Sequence, residues 1–196
     1  MAAINGVHGK PYMSNMQKER IIEHIERLLY VGRNAACFRA LSKYKDELNQ
    51  DYWILIYNNF FDIAILGWCK VFGADSEPTH WKRIVDDYSS FLQDLLDALK
   101  INLSGWETYC KDIKKYRDKY IAHHQNYPNR THYPYLDIAL KSSFYYYSWL
   151  IIKLELFNIY YVPDDLKDYY DDYLLQISRF AEISYLATKN IEENVY

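Results

Sequence analysis

Residues 104–124 read SGWETYCKDIKKYRDKYIAHH, and this stretch settles the architecture. Ser104 followed three residues later by Glu107 is a capping-box signature that opens a helix. Trp106, Tyr109, Cys110, Ile113, Tyr116, Tyr120 and Ile121 then recur at helical spacing. The pattern predicts a helix from Ser104 to about His124. Asn126, Pro128, Asn129 and Pro134 predict a loop over 125–134 beyond it.

The same grammar extends in both directions. Ser14 with Gln17 opens a first helix carrying Ile21, Ile22, Ile25, Leu28 and Leu29, with Gly32 as a kink or end before a continuation to about Leu48. Asp51 is placed to cap a second helix through Val71, apolar almost all round and therefore expected in the core. Gly73 and Pro78 bound a loop over 73–79. A third helix is expected over 80–101, with Ile84, Tyr88, Phe91, Leu92, Leu95, Leu96 and Leu99 as its stripe. A fifth runs over about 135–160, and Pro163, Asp164 and Asp165 start a sixth to about Lys189. Residues 1–13, with Gly6, Gly9 and Pro11, read as a loose leader. The expectation is an all-α, single-domain helical bundle of five to six helices over residues 14–196.

Composition agrees. Six glycines and five prolines in 196 residues are too few for an all-β or disordered chain. The 22 tyrosines bury like hydrophobes while each hydroxyl seeks a partner, which predicts wide helix–helix or subunit contacts with polar edges. A net charge of −3 excludes a nucleic-acid binder that acts through overall charge. The charge is uneven, however. Lys111, Lys114, Lys115, Arg117, Lys119 and Arg130 outweigh Asp112 and Asp118, whereas Asp164, Asp165, Asp168, Asp171 and Asp172 surround a lone Lys167. Cys37, Cys69 and Cys110, odd in number and far apart, fit reduced thiols in a cytoplasm. Asp62 interrupts the apolar run 52–69, and Lys153 and Glu155 interrupt 149–162, so neither is expected to span a membrane.

The chemistry concentrates at the end of the opening stretch. Arg117 is a permanent cation, and His123 and His124 follow at six and seven residues, so Arg117 and one imidazole can reach toward a common point. An arginine that grips phosphate and a histidine that moves a proton near neutral pH suffice to cleave RNA without metal. Taken alone, Arg117 also reads as a surface arginine paired with Asp118 or Asp112, and either histidine as a helix-end imidazole favoured by the dipole. The acidic run reads as a solvated helix start, and Tyr145, Tyr146 and Tyr147 as packing or dimer contacts. His80, Trp81 and Lys82 read as a helix start with a packed Trp, although they also suit a cleft wall. His132 and Cys110 lack the spacing of a zinc site.

Arg117, Asp118 and His123 match the pattern of the HEPN superfamily: an arginine, a polar residue, a few variable positions, then a histidine near a helix end. The segment resembles that motif, and Ala122 before His123 is similar to the abortive-infection version. Phe60-Phe61-Asp62 through Trp68, Phe72-Gly73 and His80-Trp81-Lys82 also look similar to that subgroup, and the resemblance covers roughly residues 15–190. It implies a HEPN-like fold and a metal-independent endoribonuclease acting on single-stranded RNA in a toxin–antitoxin or anti-phage defence system, with no cofactor. Two copies of the motif would face one cleft across a homodimer, leaving 2′,3′-cyclic phosphate ends. The resemblance gives His123 the proton transfer, Arg117 the phosphate, and Asp118 a supporting role. Lys114, Lys115, Lys119 and Arg130 would contact the RNA. The spacing admits His124 in place of His123, and Ala122 favours His123. A tyrosine modified in some family members two residues after the histidine is Gln125 here. HEPN-like folds also serve as non-catalytic RNA-binding or scaffold modules, which is the alternative reading, and an antitoxin or other defence protein is a possible partner.

Overall fold

Helix α1 (Asn15–Ser42) is the spine on which the other helices are laid. Helices α2 (Asp51–Phe72), α5 (Leu136–Glu155) and α6 (Leu166–Thr188) all pack against it. Helix α3 (Tyr88–Leu99) lies on α5, and α4 (Leu103–Tyr116) lies on α2. The computed structural model describes residues 15–122, 133–155 and 161–192, and among them there are six α-helices and no strand. The chain is an all-α, single-domain bundle. The expected leader, 1–13, and Ser14 lie outside the described residues.

The core is aromatic. Trp68 is fully buried in α2, stacked on Phe72 and met edge-on by Trp106 and Tyr109 of α4. Its indole N–H donates to Ser142 of α5 at 2.9 Å, and Ser142 in turn donates to the Ala139 carbonyl. A polar tip buried this way needs such a partner, and Tyr109, Tyr146 and Tyr147 follow the same rule. Tyr109 donates to the Tyr135 carbonyl and accepts from the Ala139 N–H, which ties α4 to the start of α5. Tyr146 is hydrogen-bonded to His24 of α1 at 2.9 Å, and Tyr147 donates to the Pro163 carbonyl at 2.6 Å. Tyr146 and Tyr147 are thus core residues, while Tyr145 is half-buried. A smaller cluster of Ala40, Leu41, Trp53, Tyr57, Ala181 and Tyr185 closes the other end, where Trp53 donates to Thr188.

Several boundaries differ from those the sequence predicts, each for a local reason. Gly32 neither kinks nor ends α1. It is buried within a continuous helix, facing Leu166 of α6. Helix α1 stops at Ser42, whose hydroxyl donates back to the Phe38 carbonyl, and only one 3₁₀ turn (Lys45–Glu47) follows before Leu48. Asp51 is the first residue of α2, and Gln50 occupies the cap position without a side-chain capping bond, its amide donating instead to the Thr188 and Ile191 carbonyls. Helix α2 is not buried all round: Ile54, Leu55 and Leu66 are exposed. By length and composition α2 is able to cross a membrane, but half of its apolar window is covered inside the bundle.

The third helix begins at Tyr88, not at residue 80. Trp81–Arg83 form a separate 3₁₀ turn held by Trp81 stacking on Phe91 at 4.8 Å. Asp87 then caps α3 by accepting the Ser90 N–H at 3.0 Å. The cap of α4 is Asn102, which accepts the Gly105 N–H at 2.8 Å, so the helix begins one residue before the expected Ser104/Glu107 box. Helix α5 is described to Glu155, and residues 156–160 lie outside the described residues. Asp165 caps α6 through the Lys167 and Asp168 N–H groups, which gives the acidic run its structural role.

Candidate nucleic-acid interface

Helix α4 divides its side chains by periodicity. Trp106, Tyr109, Ile113 and Tyr116 turn inward and are buried. Tyr116 donates to the buried carboxylate of Asp62 on α2 at 3.0 Å and meets Phe61 edge-on. The Asp62 that breaks the apolar run of α2 therefore anchors the end of α4. Directly after Tyr116 the winding changes, and Arg117–Ala122 form a π-helical turn. Such widened turns cost backbone geometry and recur at functional sites.

Arg117 leads that turn. Its side chain is 23% exposed, and its guanidinium grips Asp118 twice, Nε at 2.8 Å and Nη2 at 2.7 Å from the same carboxylate oxygen. Burial alone would lower its pKa, but the hydrogen bond to Asp118 and neighbouring negative charge hold it above the ordinary arginine value. The pair with Asp118 was one of two bonds open to a surface arginine, and the structure selects it over Asp112. The Nη1 donors and one Nη2 hydrogen are not used by this pair. His123, His124 and Arg130 lie outside the described residues.

The other face of α4, with Trp106 at the border between the two, lines a cleft of about 870 Å³. Its wall runs up the helix at i, i+3, i+4, i+7 and i+8: Leu103, then Trp106 and Glu107, then Cys110 and Lys111. Lys114, Lys115, Asp118 and Lys119 continue it. The opposite wall is the 73–83 segment, including Asp75, His80, Trp81 and Lys82. All three lysines expected to contact RNA, Lys114, Lys115 and Lys119, thus share one cleft, and Asp118 both lines it and holds Arg117. Arg117 itself is not among the lining residues.

The 73–83 wall is cross-braced. Lys82 Nζ lies 2.7 Å from one Asp75 carboxylate oxygen, His80 Nε2 lies 3.4 Å from the other, and Arg83 donates to the Asp75 carbonyl at 2.6 Å. His80 Nδ1 accepts the Lys82 N–H, which leaves Nε2 to carry the proton toward Asp75. Burial lowers the His80 pKa to about 4 against the opposing pull of Asp75, so the ring is neutral near pH 7. His80, Trp81 and Lys82 therefore serve both as a local turn with a packed Trp and as a cleft wall. The missed signal was the face opposite the α4 stripe, where Leu103, Glu107, Lys111, Lys114 and Lys115 recur at helical spacing.

The thiols nearby are inert. Burial pushes Cys69 up to about 11, against the pull of Arg117 and Lys114, and pushes Cys110 up to about 12. Both are protonated at neutral pH and offer neither nucleophile nor thiolate ligand. Among the described residues no three His, Cys, Asp or Glu side chains converge as metal ligands, and His132 lies outside them.

Fold and site together define an all-α bundle with a lysine-walled cleft beside an arginine on a π-helical turn. Compared with protein-family models, with curated proteins and with solved structures, the chain matches none.

Proposed function

We propose that this protein is a cytoplasmic HEPN-type endoribonuclease that cuts single-stranded RNA without metal, in a toxin–antitoxin or anti-phage system. The observation that carries the reading is Arg117. It opens a π-helical turn, is aligned by Asp118, and adjoins a wall of lysines on the same helix. The histidine half of the reading rests on the sequence motif.

In the proposed reaction a ribose 2′-oxygen attacks the adjacent phosphorus and the bond from phosphorus to the 5′-oxygen breaks. A base removes the 2′-hydroxyl proton, an acid protonates the departing 5′-oxygen, and a 2′,3′-cyclic phosphate remains. His123, or His124 in its place, supplies the proton transfer. A homodimer joined through the Arg117/His123 region provides a second imidazole, so that base and acid are separate groups. Arg117 stabilises the charge growing on the phosphoryl oxygens with the donors that Asp118 leaves open. Lys114, Lys115, Lys119 and Arg130 hold the strand.

The test is cleavage of single-stranded RNA in the presence of EDTA by the native chain, Arg117→Ala and His123→Ala. Each substitution is expected to reduce the rate at least about 100-fold. Equal cleavage by all three proteins would reject the roles given to these residues.

A second reading has one observation in its favour: Arg117 is already engaged by Asp118. A chain that uses this pair structurally would be a non-catalytic RNA-binding or scaffold module. RNA affinity without turnover, alongside an active control nuclease, would select it.

A further inference from the structure

Helix α6 carries a face that the bundle does not cover. Its inward side, Leu166, Tyr170, Ala181 and Tyr185, is buried. On its outward side Leu175, Phe180, Ile183 and Leu186 are 61%, 67%, 69% and 50% exposed. With a full side chain of this size presenting roughly 150–200 Å², the four offer roughly 400–500 Å² of apolar surface, a patch large enough to mark an interaction site. Leu175, Gln176, Arg179, Phe180 and Ile183 border a shallow notch of about 370 Å³ on it. Charges accompany the stripe: Asp172 and Arg179 along it, Glu182 and Lys189 beside it, all exposed. Among the described residues Asp172, Arg179 and Lys189 have no opposite charge within 4 Å, and Glu182 meets Lys43 at 3.6 Å.

We infer that this face pairs with the same face of a second copy of the chain, the two α6 helices running antiparallel about a two-fold axis. The order of residues along α6 makes the face complementary to itself. Asp172 and Lys189 stand at equal distances on either side of the point midway between Phe180 and Ala181. So do Leu175 and Leu186, and so do Arg179 and Glu182. An antiparallel copy centred there sets the members of each pair opposite one another, leucine on leucine and cation on carboxylate, and symmetry repeats every contact. A parallel copy sets Asp172 on Asp172 and Arg179 on Arg179 instead. Phe180 lies beside the axis and meets its own counterpart, and Ile183 of the second copy falls opposite the notch. The area fits as well. A standard interface buries about 800 Å² on each partner, somewhat over half of it nonpolar, which is the amount the stripe presents. An unrelated partner has no use for this internal symmetry.

This surface is separate from the one proposed for RNA cleavage. Helix α6 packs on α1 and α5, whereas the Arg117 turn packs on α2 and α4. The inference therefore does not rest on the nuclease reading. Combined with a homodimer through the Arg117 region, the α6 contact gives a larger assembly built from two kinds of two-fold contact, with a tetramer as its closed form. Without that homodimer it gives a dimer.

The test is sedimentation velocity of the full chain at about 10–100 µM, a range in which an interface of standard size holds. It is run on the native chain, Ile183→Glu, Asp172→Lys and the double variant Asp172→Lys/Lys189→Asp. All three substituted residues are exposed, and far-UV circular dichroism checks that helix content is kept. The native chain is expected to associate. Ile183→Glu is expected to raise the dissociation constant of the α6 contact at least about tenfold. Asp172→Lys sets a lysine opposite Lys189 and is expected to raise it about fivefold, while the double variant restores it to within about twofold of native. A step from tetramer to dimer in Ile183→Glu shows the α6 contact alongside the Arg117 one, and a step from dimer to monomer shows the α6 contact alone; either supports the inference. A native chain that stays monomeric overturns it and leaves the face to a different protein or a lipid surface. Native mass and affinity in Ile183→Glu, or a double variant no tighter than Asp172→Lys, also overturns it.

Discussion

Asp118 is the residue on which Arg117 depends. A bond between sequence neighbours at the surface adds little stability, about 0–1 kcal/mol, so its consequence is orientation. Asp118→Asn keeps the shape but loses the charge, and in the proposed nuclease it is expected to lower kcat about tenfold while leaving the melting temperature within about 2 °C. A fall in stability with no change in kcat would make Asp118 a structural residue only. Tyr116 acts one position earlier. Tyr116→Phe removes the hydrogen bond to buried Asp62 and is expected to cost about 1–2 kcal/mol in urea unfolding. A change below about 0.3 kcal/mol would show that this bond does not anchor the end of α4. The pairing of Arg117 with Asp118 was legible in the sequence as one of two options, because neighbouring side chains on a surface turn need no tertiary fold to meet. The bond between Tyr116 and Asp62 was not, since it joins residues 54 positions apart.

Two glycines inside helices separate at the scale of elements. A β-carbon on Gly67 would come within 2.7 Å of Val31 Cγ2, a buried and branched side chain, so here the bare backbone permits the close crossing of α1 and α2. A β-carbon on Gly32 would sit 3.5 Å from Leu166, an ordinary contact. Gly32→Ala is therefore expected to stabilise by about 0.5–1 kcal/mol through helix propensity. Gly67→Ala is expected to destabilise by about 1–3 kcal/mol through overpacking. Denaturant midpoints of the two variants check this directly, and a reversed order would mean that the α1–α2 crossing is not set by Gly67. Element type was readable because apolar residues recur every three to four positions. Boundaries were less so, because short polar side chains compete for them: Asn102 took the α4 cap from Ser104, and Asp87 delayed α3 to Tyr88. The π-helical turn after Tyr116 has no periodic signature, and the cleft needs the 73–83 segment to fold against α4.

For the whole molecule, the buried histidines set the response to acid. His24 is buried against Tyr146, and burial lowers its pKa to about 4 from an ordinary 6.5. The folded state thus resists a proton that the unfolded chain accepts. The associated stability is complete above pH 6.5 and falls as pH drops toward 4. The loss amounts to about 2–3 kcal/mol by pH 4.5. His80 is shifted in the same direction, and its contribution is lost over the same window. Urea midpoints between pH 7.5 and 4.5 should fall more steeply for the native chain than for His24→Leu. Parallel slopes would show that His24 does not control this window. The proposed activity also belongs to the whole molecule, since it joins one lysine-walled bundle to a second copy through the Arg117 region.

The most direct measurement is the chemistry of the cut end. Single-stranded RNA incubated with the purified protein in EDTA should yield fragments with 2′,3′-cyclic phosphate termini, and the Arg117→Ala protein should yield none above background. Fragments ending in a plain 3′-hydroxyl, or cyclic ends produced equally by Arg117→Ala, would contradict the account.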